Sequence, residues 1–209
     1  MDKKAIIYDF DNTIYAVKTI GEEIFAPLFK LIADSGDHKS SLEKIKEDIM
    51  GKPFQVVAAN HHFSKELTQK GIDMLKGLTY EGEIKPFDDY GEIKKILGER
   101  FLVTTGFWDL QWSKIRKMNI ERDFSEIHVV DPSTSTKTKK DVFRDIMERK
   151  GYKVSEVLVV GDDPDSEIKA ALELGIETVL FDRYNQHTDH SANFKITNFK
   201  ELKALLKAV

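Results

Sequence analysis

Two aspartates follow an apolar run near the start of the chain, in the stretch AIIYDFDNTIY at residues 5–15. The run reads as a buried strand, so Asp9 and Asp11 stand where that strand ends. Paired carboxylates can divide covalent chemistry between them, because one can act as a nucleophile while the other transfers protons. The pair therefore marks the first candidate site.

Polar and acidic residues also end the later predicted strands. They are Thr104 and Thr105, Asp131, and the run Gly161-Asp162-Asp163. Parallel strands bring their carboxyl ends to one edge of a sheet, where functional residues collect. Several carboxylates at one point repel each other and require a cation, and oxygen ligands favour a hard ion such as Mg²⁺. The pair Asp131-Pro132 favours a turn over a ligand.

Lysines 137, 139 and 140 lie at the start of the helix that follows Asp131. Two carboxylates, a hydroxyl, a lysine and Mg²⁺ are together what phosphoryl transfer uses, since its catalysis is mostly positioning and charge neutralisation. The residues alone thus indicate an enzyme that handles phosphate.

The pattern of apolar residues differs between two parts of the sequence. Residues 21–80 have apolar residues at helical spacing, which predicts an all-helical insert. From Pro86 onward, strands alternate with helices, which predicts a parallel sheet covered on both faces. The predicted strands are 101–105, 126–131, 156–161 and 177–181, and the predicted helices are near 89–97, 109–118, 139–150, 165–174 and 199–208. We expect an α/β doubly wound core of residues 1–16 and 86–209, with a helical cap of residues 17–85.

The motifs resemble those of the haloacid dehalogenase-like hydrolase superfamily, most of whose members are Mg²⁺-dependent phosphatases. The stretch Asp9-Phe10-Asp11-Asn12-Thr13 matches the signature D-x-D-x-T. The other family elements follow in order: Thr104 ending a strand, Lys137 opening a helix, and G-D-D-x-x-x-E with Gly161, Asp162, Asp163 and Glu167. The position of the helical insert resembles the first class of cap in that family.

The resemblance implies a role for each matched residue. Asp9 would become an aspartyl phosphate, and Asp11 would protonate the leaving oxygen and then activate water. Thr104, backed by Thr105, would hydrogen-bond the phosphoryl group. The implied Mg²⁺ ligands are the Asp9 carboxylate, the Asp11 main-chain carbonyl and Asp162, with Glu167 or Asp163 bound directly or through water.

The resemblance leaves the catalytic lysine open between two residues. Lys137 lies six residues before Phe143, which is the family's spacing, so it is the favoured choice. Lys139 lies one helical turn before Phe143, on the predicted buried face, and competes with it.

The implied function is Mg²⁺-dependent hydrolysis of a small phosphomonoester, such as a sugar phosphate or a nucleotide. A phosphomutase would use the same core, because the cap decides which group receives the phosphoryl. A phospho-receiver signalling module and a catalytically silent binding scaffold are the non-enzyme alternatives. A dehalogenase is disfavoured, because members with that activity lack the second aspartate and Asp11 is present.

The composition disfavours nucleic acid as a binding partner. The net charge of −4 and a pI near 5.9 lack the basic surplus that nucleic-acid binding requires. The chain has no run of eighteen apolar residues and no cysteine, and its charged start MDKK lacks the apolar region of a signal peptide. We therefore expect a cytoplasmic enzyme with a small phosphorylated metabolite as its partner, as a monomer or a homodimer.

Overall fold

A single parallel sheet of six strands forms the centre of the protein in a computed structural model, which describes residues 3–207. The strands are β1 (Ala5–Tyr8), β2 (Glu99–Thr105), β3 (Glu126–Val130), β4 (Val157–Gly161), β5 (Glu177–Phe181) and β6 (Phe194–Ile196). Their order is β3-β2-β1-β4-β5-β6, and every neighbouring pair is parallel. The predicted α/β doubly wound fold is confirmed.

Helices connect most of these strands, and one helix follows the last strand. Between β1 and β2 lie α1 (Gly21–Ile24), α2 (Ala26–Ser35), α3 (Leu42–Gly51), α4 (Phe54–Asn60) and α5 (Lys65–Lys76); after β2 come α6 (Trp108–Met118), α7 (Lys139–Lys150), α8 (Lys169–Leu172) and α9 (Phe199–Lys207). The insert after the first strand is therefore helical, as its periodicity predicts.

Both faces of the sheet are buried, which explains why its strands are continuously apolar. Along β1, Ile6 and Tyr8 join a cluster that includes α6, α9 and the insert helices, whereas Ala5 and Ile7 join a cluster with α7 and α8. Alternate side chains of one strand point to opposite faces, so each strand contributes to both clusters.

The insert shares its hydrophobic cluster with one face of the sheet, because Leu28, Ile45 and Val57 belong to the same cluster as Ile6 and Tyr8. The division into a core of residues 1–16 and 86–209 and a cap of residues 17–85 remains a prediction. Residues 1, 2, 208 and 209, including the predicted end of the last helix, lie outside the described residues.

One predicted helix has a different form. Residues Tyr90–Lys95 form a 3₁₀ helix in place of an α-helix over 89–97. The buried residues Tyr90, Ile93 and Ile96 are spaced by three, which matches the three residues per turn of a 3₁₀ helix. The edge strand β6 was not predicted, since three residues are too few to establish an alternating pattern.

The strand order places β1 at the centre of the sheet, between β2 and β4. From β1 the chain proceeds outward to β2 and β3, and then crosses to β4, β5 and β6. The crevice at the carboxyl ends of β1 and β4 is thus the topological switch point, where open α/β sheets bind their ligands.

Candidate active site

Asp9 lies at this switch point. Its N–H donates to the Val160 carbonyl at 2.9 Å, which continues the pairing of β1 with β4 by one residue. The chain then turns sharply: Asn12 adopts a left-handed conformation with φ 56°, which asparagine tolerates. The Asn12 side-chain oxygen accepts from the Val17 N–H at 3.1 Å and holds the turn in place. Asp9 is only 6% exposed, so its side chain is largely shielded from solvent.

Three carboxylates meet at Asp9. Oxygens of Asp9, Asp162 and Glu167 lie within 4.8 Å of one another. The Lys139 ammonium donates to Asp9 Oδ1 at 2.5 Å and to Glu167 Oε2 at 2.7 Å. The Thr13 hydroxyl lies 3.3 Å from Asp162 Oδ1 and 3.5 Å from Asp9 Oδ2, which explains the threonine of the first motif. We call Asp9, Asp162, Glu167 and Lys139 the Asp9 cluster.

Glu167 reaches the cluster because Gly161 has no side chain. A Cβ at Gly161 would lie 2.1 Å from Glu167 Oε1. The same oxygen accepts from the Asp163 N–H at 2.8 Å. The π-helical turn Pro164–Ile168 directs Glu167 inward, where it is 1% exposed. The motif G-D-D-x-x-x-E therefore needs glycine at its first position, because a larger residue would displace the Glu167 carboxylate.

Negative charge exceeds positive charge in the Asp9 cluster, since three carboxylates face one ammonium. Burial raises the pKa of Asp9 to about 8, against the opposing effect of Lys139. Burial and the neighbouring Glu167 and Asp9 raise the pKa of Asp162 well above its usual range. Burial would lower the pKa of Lys139, but the Asp9 and Glu167 carboxylates raise it above its usual value.

The donor set of this cluster fits a hard divalent cation. All three candidate ligands are carboxylates, which Mg²⁺ prefers to nitrogen or sulfur. Burial, with the neighbouring carboxylates, raises the pKa of Asp9 and of Asp162, and three carboxylates face a single ammonium. A cation bound to Asp9, Asp162 and Glu167 would supply the missing positive charge.

Asp11 lies in a different environment. Its Oδ1 accepts from the Lys114 ammonium at 2.6 Å and from the Tyr15 hydroxyl, and its Oδ2 accepts from the Gln111 amide at 2.7 Å. Burial would raise the pKa of Asp11, but the ion pair with Lys114 and the hydrogen bonds lower it below its usual value. Burial and the negative charge of Asp11 raise the pKa of Tyr15. We call Asp11, Tyr15, Gln111 and Lys114 the Asp11 cluster.

Thr104 ends the strand next to Asp9 and is 1% exposed. Its hydroxyl lies 2.6 Å from the Gln111 amide nitrogen. Thr104 and Thr105 both line the cleft together with Asp9 and Asp11. The structure thus brings Asp9, Asp11, Thr104, Asp162 and Glu167 together as the sequence predicts.

The favoured lysine does not reach the cleft. Lys137 is exposed, and its N–H donates to the Ser135 hydroxyl at 3.1 Å. Thr138 caps α7, so Lys139 is the first helical residue and faces inward with Phe143, one turn later. The placement of Lys137 at the site is corrected to Lys139, because Lys137 precedes the Thr138 cap and only Lys139 lies on the buried face of α7.

Asp163 also has a local structural partner. Its Oδ1 accepts from the Asp165 N–H at 2.8 Å and caps the turn that carries Glu167. Burial raises the pKa of Asp163. Among the two candidates for the last ligand, Glu167 and not Asp163 therefore has its carboxylate against Asp9 and Asp162.

Sequence reasoning missed Gln111, Lys114 and Tyr15. Gln111 and Lys114 lie on α6 at 2% and 4% exposure, on the same buried face as Leu110 and Ile115. Polar residues within an apolar helical stripe are the signal that could have found them, because a buried ammonium requires a partner.

The insert closes one side of the cleft over both clusters. Insert residues in the lining include Phe25, Met50, Lys52, Phe54, Gln55 and Leu75. The empty space, counted out to the open mouth, is about 860 Å³. Among residues 3–207, every helix is too short or too polar to cross a membrane.

Comparisons with known proteins agree with this geometry. The family described as haloacid dehalogenase-like hydrolase matches residues 6–181. Two relatives are each named glyceraldehyde 3-phosphate phosphatase: one from Methanocaldococcus jannaschii is 26% identical over 98% of this chain and 97% of its own, and one from Methanopyrus kandleri is 24% identical over 95% of each. The magnesium-bound crystal structure of the HAD-hydrolase YfnB from Bacillus subtilis superposes with a TM-score of 0.69 at 16% identity, over 99% of each chain.

The family match covers most of the sequence and spans every residue of both clusters. The chain therefore belongs to the haloacid dehalogenase-like hydrolases, and it is an enzyme that hydrolyses phosphate esters.

Proposed function

We propose that this haloacid dehalogenase-like hydrolase is a Mg²⁺-dependent sugar phosphatase that works through an aspartyl phosphate on Asp9. The observation that carries the proposal is the position of Asp9 at the switch point, beside the Lys139 ammonium and the carboxylates of Asp162 and Glu167, in a cleft that Thr104 also lines. Such a set positions a phosphoryl group and neutralises its charge, which is most of what phosphoryl transfer requires.

In the first half-reaction, an oxygen of Asp9 attacks phosphorus and the bond from phosphorus to the sugar oxygen breaks. The leaving oxygen takes up a proton from the protonated form of Asp11, which lines the cleft with Asp9. Thr104 donates to a phosphoryl oxygen, and Lys139 offsets the charge of the Asp9 cluster. The product is a free sugar hydroxyl and a phosphorylated Asp9.

In the second half-reaction, water attacks the phosphorus of the aspartyl phosphate and Asp9 is regenerated as inorganic phosphate leaves. Asp11 accepts the proton of that water. The ion pair with Lys114 and the lowered pKa of Asp11 favour this step, because an ionised carboxylate is the form that can act as a base.

The metal completes the charge balance. Asp9, Asp162 and Glu167 would hold Mg²⁺, with the Asp11 main-chain carbonyl as a further proposed ligand. The ion would keep Asp9 ionised and offset the charge on the phosphoryl oxygens. The relative YfnB, of the same fold, has a structure described as bound to magnesium, which supports the choice of metal.

We infer a small sugar phosphate as the substrate, with glyceraldehyde 3-phosphate as the first candidate. The two relatives that carry its name align over 95% or more of this chain. Lys52 and Gln55 contribute polar groups to the lining of the cleft, together with apolar side chains of the insert. A short polyol can make hydrogen bonds to the former while its phosphate reaches Asp9.

The test is a panel of phosphomonoesters that includes glyceraldehyde 3-phosphate, larger sugar phosphates and nucleoside monophosphates. Inorganic phosphate release is measured with Mg²⁺ and with chelator, and the Asp9→Asn variant supplies the background for spontaneous loss of phosphate. We expect Mg²⁺-dependent release that is fastest for small sugar phosphates. Release no faster than with Asp9→Asn for every ester would contradict the proposal, and transfer to a second sugar without phosphate release would identify a mutase.

A further inference from the structure

Gln111 joins the two halves of the site through one amide group. Its nitrogen Nε2 lies 2.7 Å from Asp11 Oδ2 and 2.6 Å from Thr104 Oγ1, and the side chain is 2% exposed. Gly106 leaves room for it, since a Cβ there would come within 3.0 Å of Gln111 Cγ and Cδ. The amide is thus held between two residues that act in the proposed reaction.

The direction of these hydrogen bonds follows from the chemistry of the groups. An amide nitrogen only donates, and an ionised carboxylate only accepts. The main-chain carbonyl of Thr105, at 3.4 Å from the same nitrogen, is also an acceptor and supports the same amide orientation. Nε2 has two protons, so it gives one to Asp11 and the other to Thr104, its two nearest partners.

Thr104 therefore accepts from Gln111, and its own hydroxyl proton remains available. Within residues 3–207, the only hydrogen bond assigned to this hydroxyl is the one from Gln111. Because Thr104 lines the cleft, the remaining proton can be donated to a ligand there. An oxygen of the transferring phosphoryl group is such an acceptor.

We propose that Gln111 is a positioning residue that makes the Thr104 hydroxyl a donor towards the phosphoryl group and ties its orientation to that of Asp11. The inference rests on the proposed phosphatase function. Lys114, one turn later on α6, fixes the other oxygen of Asp11 at 2.6 Å. One helix thereby holds both oxygens of Asp11, and one of its residues also holds Thr104.

A double-mutant cycle between Gln111→Leu and Thr104→Val tests the coupling. Loss of a donor to the transition state costs about 10²-fold or more in kcat. We expect Thr104→Val to lower kcat by about 100-fold and Gln111→Leu by about 10-fold, with little change in KM. If Gln111 acts through Thr104, the product of the two single losses should exceed the loss in the double variant by about fivefold or more.

Orthovanadate inhibition supplies a readout that a purely structural role would not change. Vanadate resembles the transition state of phosphoryl transfer, whereas inorganic phosphate is the product. In Gln111→Leu, the inhibition constant for vanadate should rise by about the same factor as kcat/KM falls, with a smaller change for phosphate. Lys117→Gln, on the exposed side of α6, is the matched control and should leave both constants unchanged.

Thermal unfolding of each variant separates positioning from packing. Additive losses, unchanged vanadate inhibition, or wild-type kcat in a folded Gln111→Leu protein would each overturn the inference. If Gln111→Leu is unfolded at the assay temperature, Gln111→Met takes its place, and unfolding of both would assign Gln111 to packing alone. A wild-type enzyme that hydrolyses no phosphomonoester would instead overturn the proposed function itself.

Discussion

Asp9 and Asp11 are separated by one residue, yet the protein gives their carboxylates opposite surroundings. The Asp9 cluster has three carboxylates and one ammonium, and burial raises the pKa of Asp9. The Asp11 cluster has one carboxylate with an ammonium, a phenol and an amide as donors, and the pKa of Asp11 is lowered. The Asp9 cluster has more negative than positive groups, whereas the Asp11 cluster has one of each.

This difference separates two chemical roles. A cluster that lacks positive charge favours a cation, which together with Lys139 would offset the negative charge of an incoming phosphoryl group. A cluster whose donors surround one carboxylate keeps that carboxylate in a fixed orientation, from which it can exchange protons with a ligand. Opposed environments for two neighbouring carboxylates are a general way to assign them different tasks.

Exchange of each carboxylate for an amide should have the largest effect. Asp9→Asn removes the nucleophile, so we expect no measurable turnover and no covalent intermediate. Asp11→Asn removes proton transfer, which is worth about 10²- to 10⁴-fold. With p-nitrophenyl phosphate, whose leaving group needs little protonation, Asp11→Asn should phosphorylate Asp9 and then stall.

Rapid-quench mass spectrometry distinguishes the two variants. A phosphate-sized mass increase is expected in Asp11→Asn and not in Asp9→Asn. The reverse pattern, or label on a different residue, would mean that the two roles are exchanged or that the nucleophile lies elsewhere.

Metal removal should affect the Asp9 cluster and spare the Asp11 cluster. We expect chelation to abolish activity, and Ca²⁺ to restore it poorly, because Ca²⁺ accepts looser geometry than Mg²⁺. Mg²⁺ at about 100 times its Kd should stabilise the protein by about 2.7 kcal/mol, which is a rise in Tm of roughly 5–10 °C at this chain length.

The matched variants locate the metal without an activity assay. Asp162→Asn should lose most of the Mg²⁺-dependent rise in Tm, whereas Asp11→Asn should keep it, since its main-chain carbonyl is unchanged. Equal loss in both variants would show that the two clusters are one metal site and not two environments.

Substitution of Lys139 should have the next largest effect on activity, with Lys137 as its control. Lys139→Met should lower kcat by about 100-fold or more, because it removes the only ammonium that contacts Asp9 and Glu167 among the described residues. Lys137→Met, on the exposed side of the same chain segment, should remain within about twofold of wild type. Steady-state kinetics with saturating Mg²⁺ decide between them, and a comparable loss in both would contradict the assignment to Lys139.

The choice between Lys137 and Lys139 shows which parts of the site could be predicted from the sequence. Strand ends were predicted well, because continuous apolar runs define them and their polar successors need no long-range information. The start of α7 near residue 139 was predicted, but the resemblance favoured Lys137 for its spacing to Phe143. Which lysine reaches the site depends on the contacts of Lys139 with Asp9 and Glu167, residues 130 and 28 positions away.

Gln111 and Lys114 were missed for a different reason. They lie within a helix, not at a strand end, and reach the site from the side. Their chemistry became visible only when the fold brought α6 against the turn after β1, because the ion pair of Lys114 and Asp11 joins residues 103 positions apart. Long-range partners of this type leave little trace in local periodicity.

The smallest expected effect lies outside both clusters, at Gln55 of the insert. Its amide nitrogen is buried, lines the cleft and has no hydrogen-bond partner among the residues described. A buried donor without a partner is costly, so a substrate oxygen that accepts from it should gain affinity. Gln55→Leu should raise KM for glyceraldehyde 3-phosphate by about 5- to 10-fold and leave KM for phenyl phosphate, which has no hydroxyl or aldehyde, within about twofold. Gln69→Leu on the exposed side of α5 is the control, since its amide bonds only to Asp73 in the described chain. A fall in kcat with both substrates would place Gln55 with the phosphoryl-handling residues, and the division of labour between the two carboxylate clusters and the insert would then be wrong.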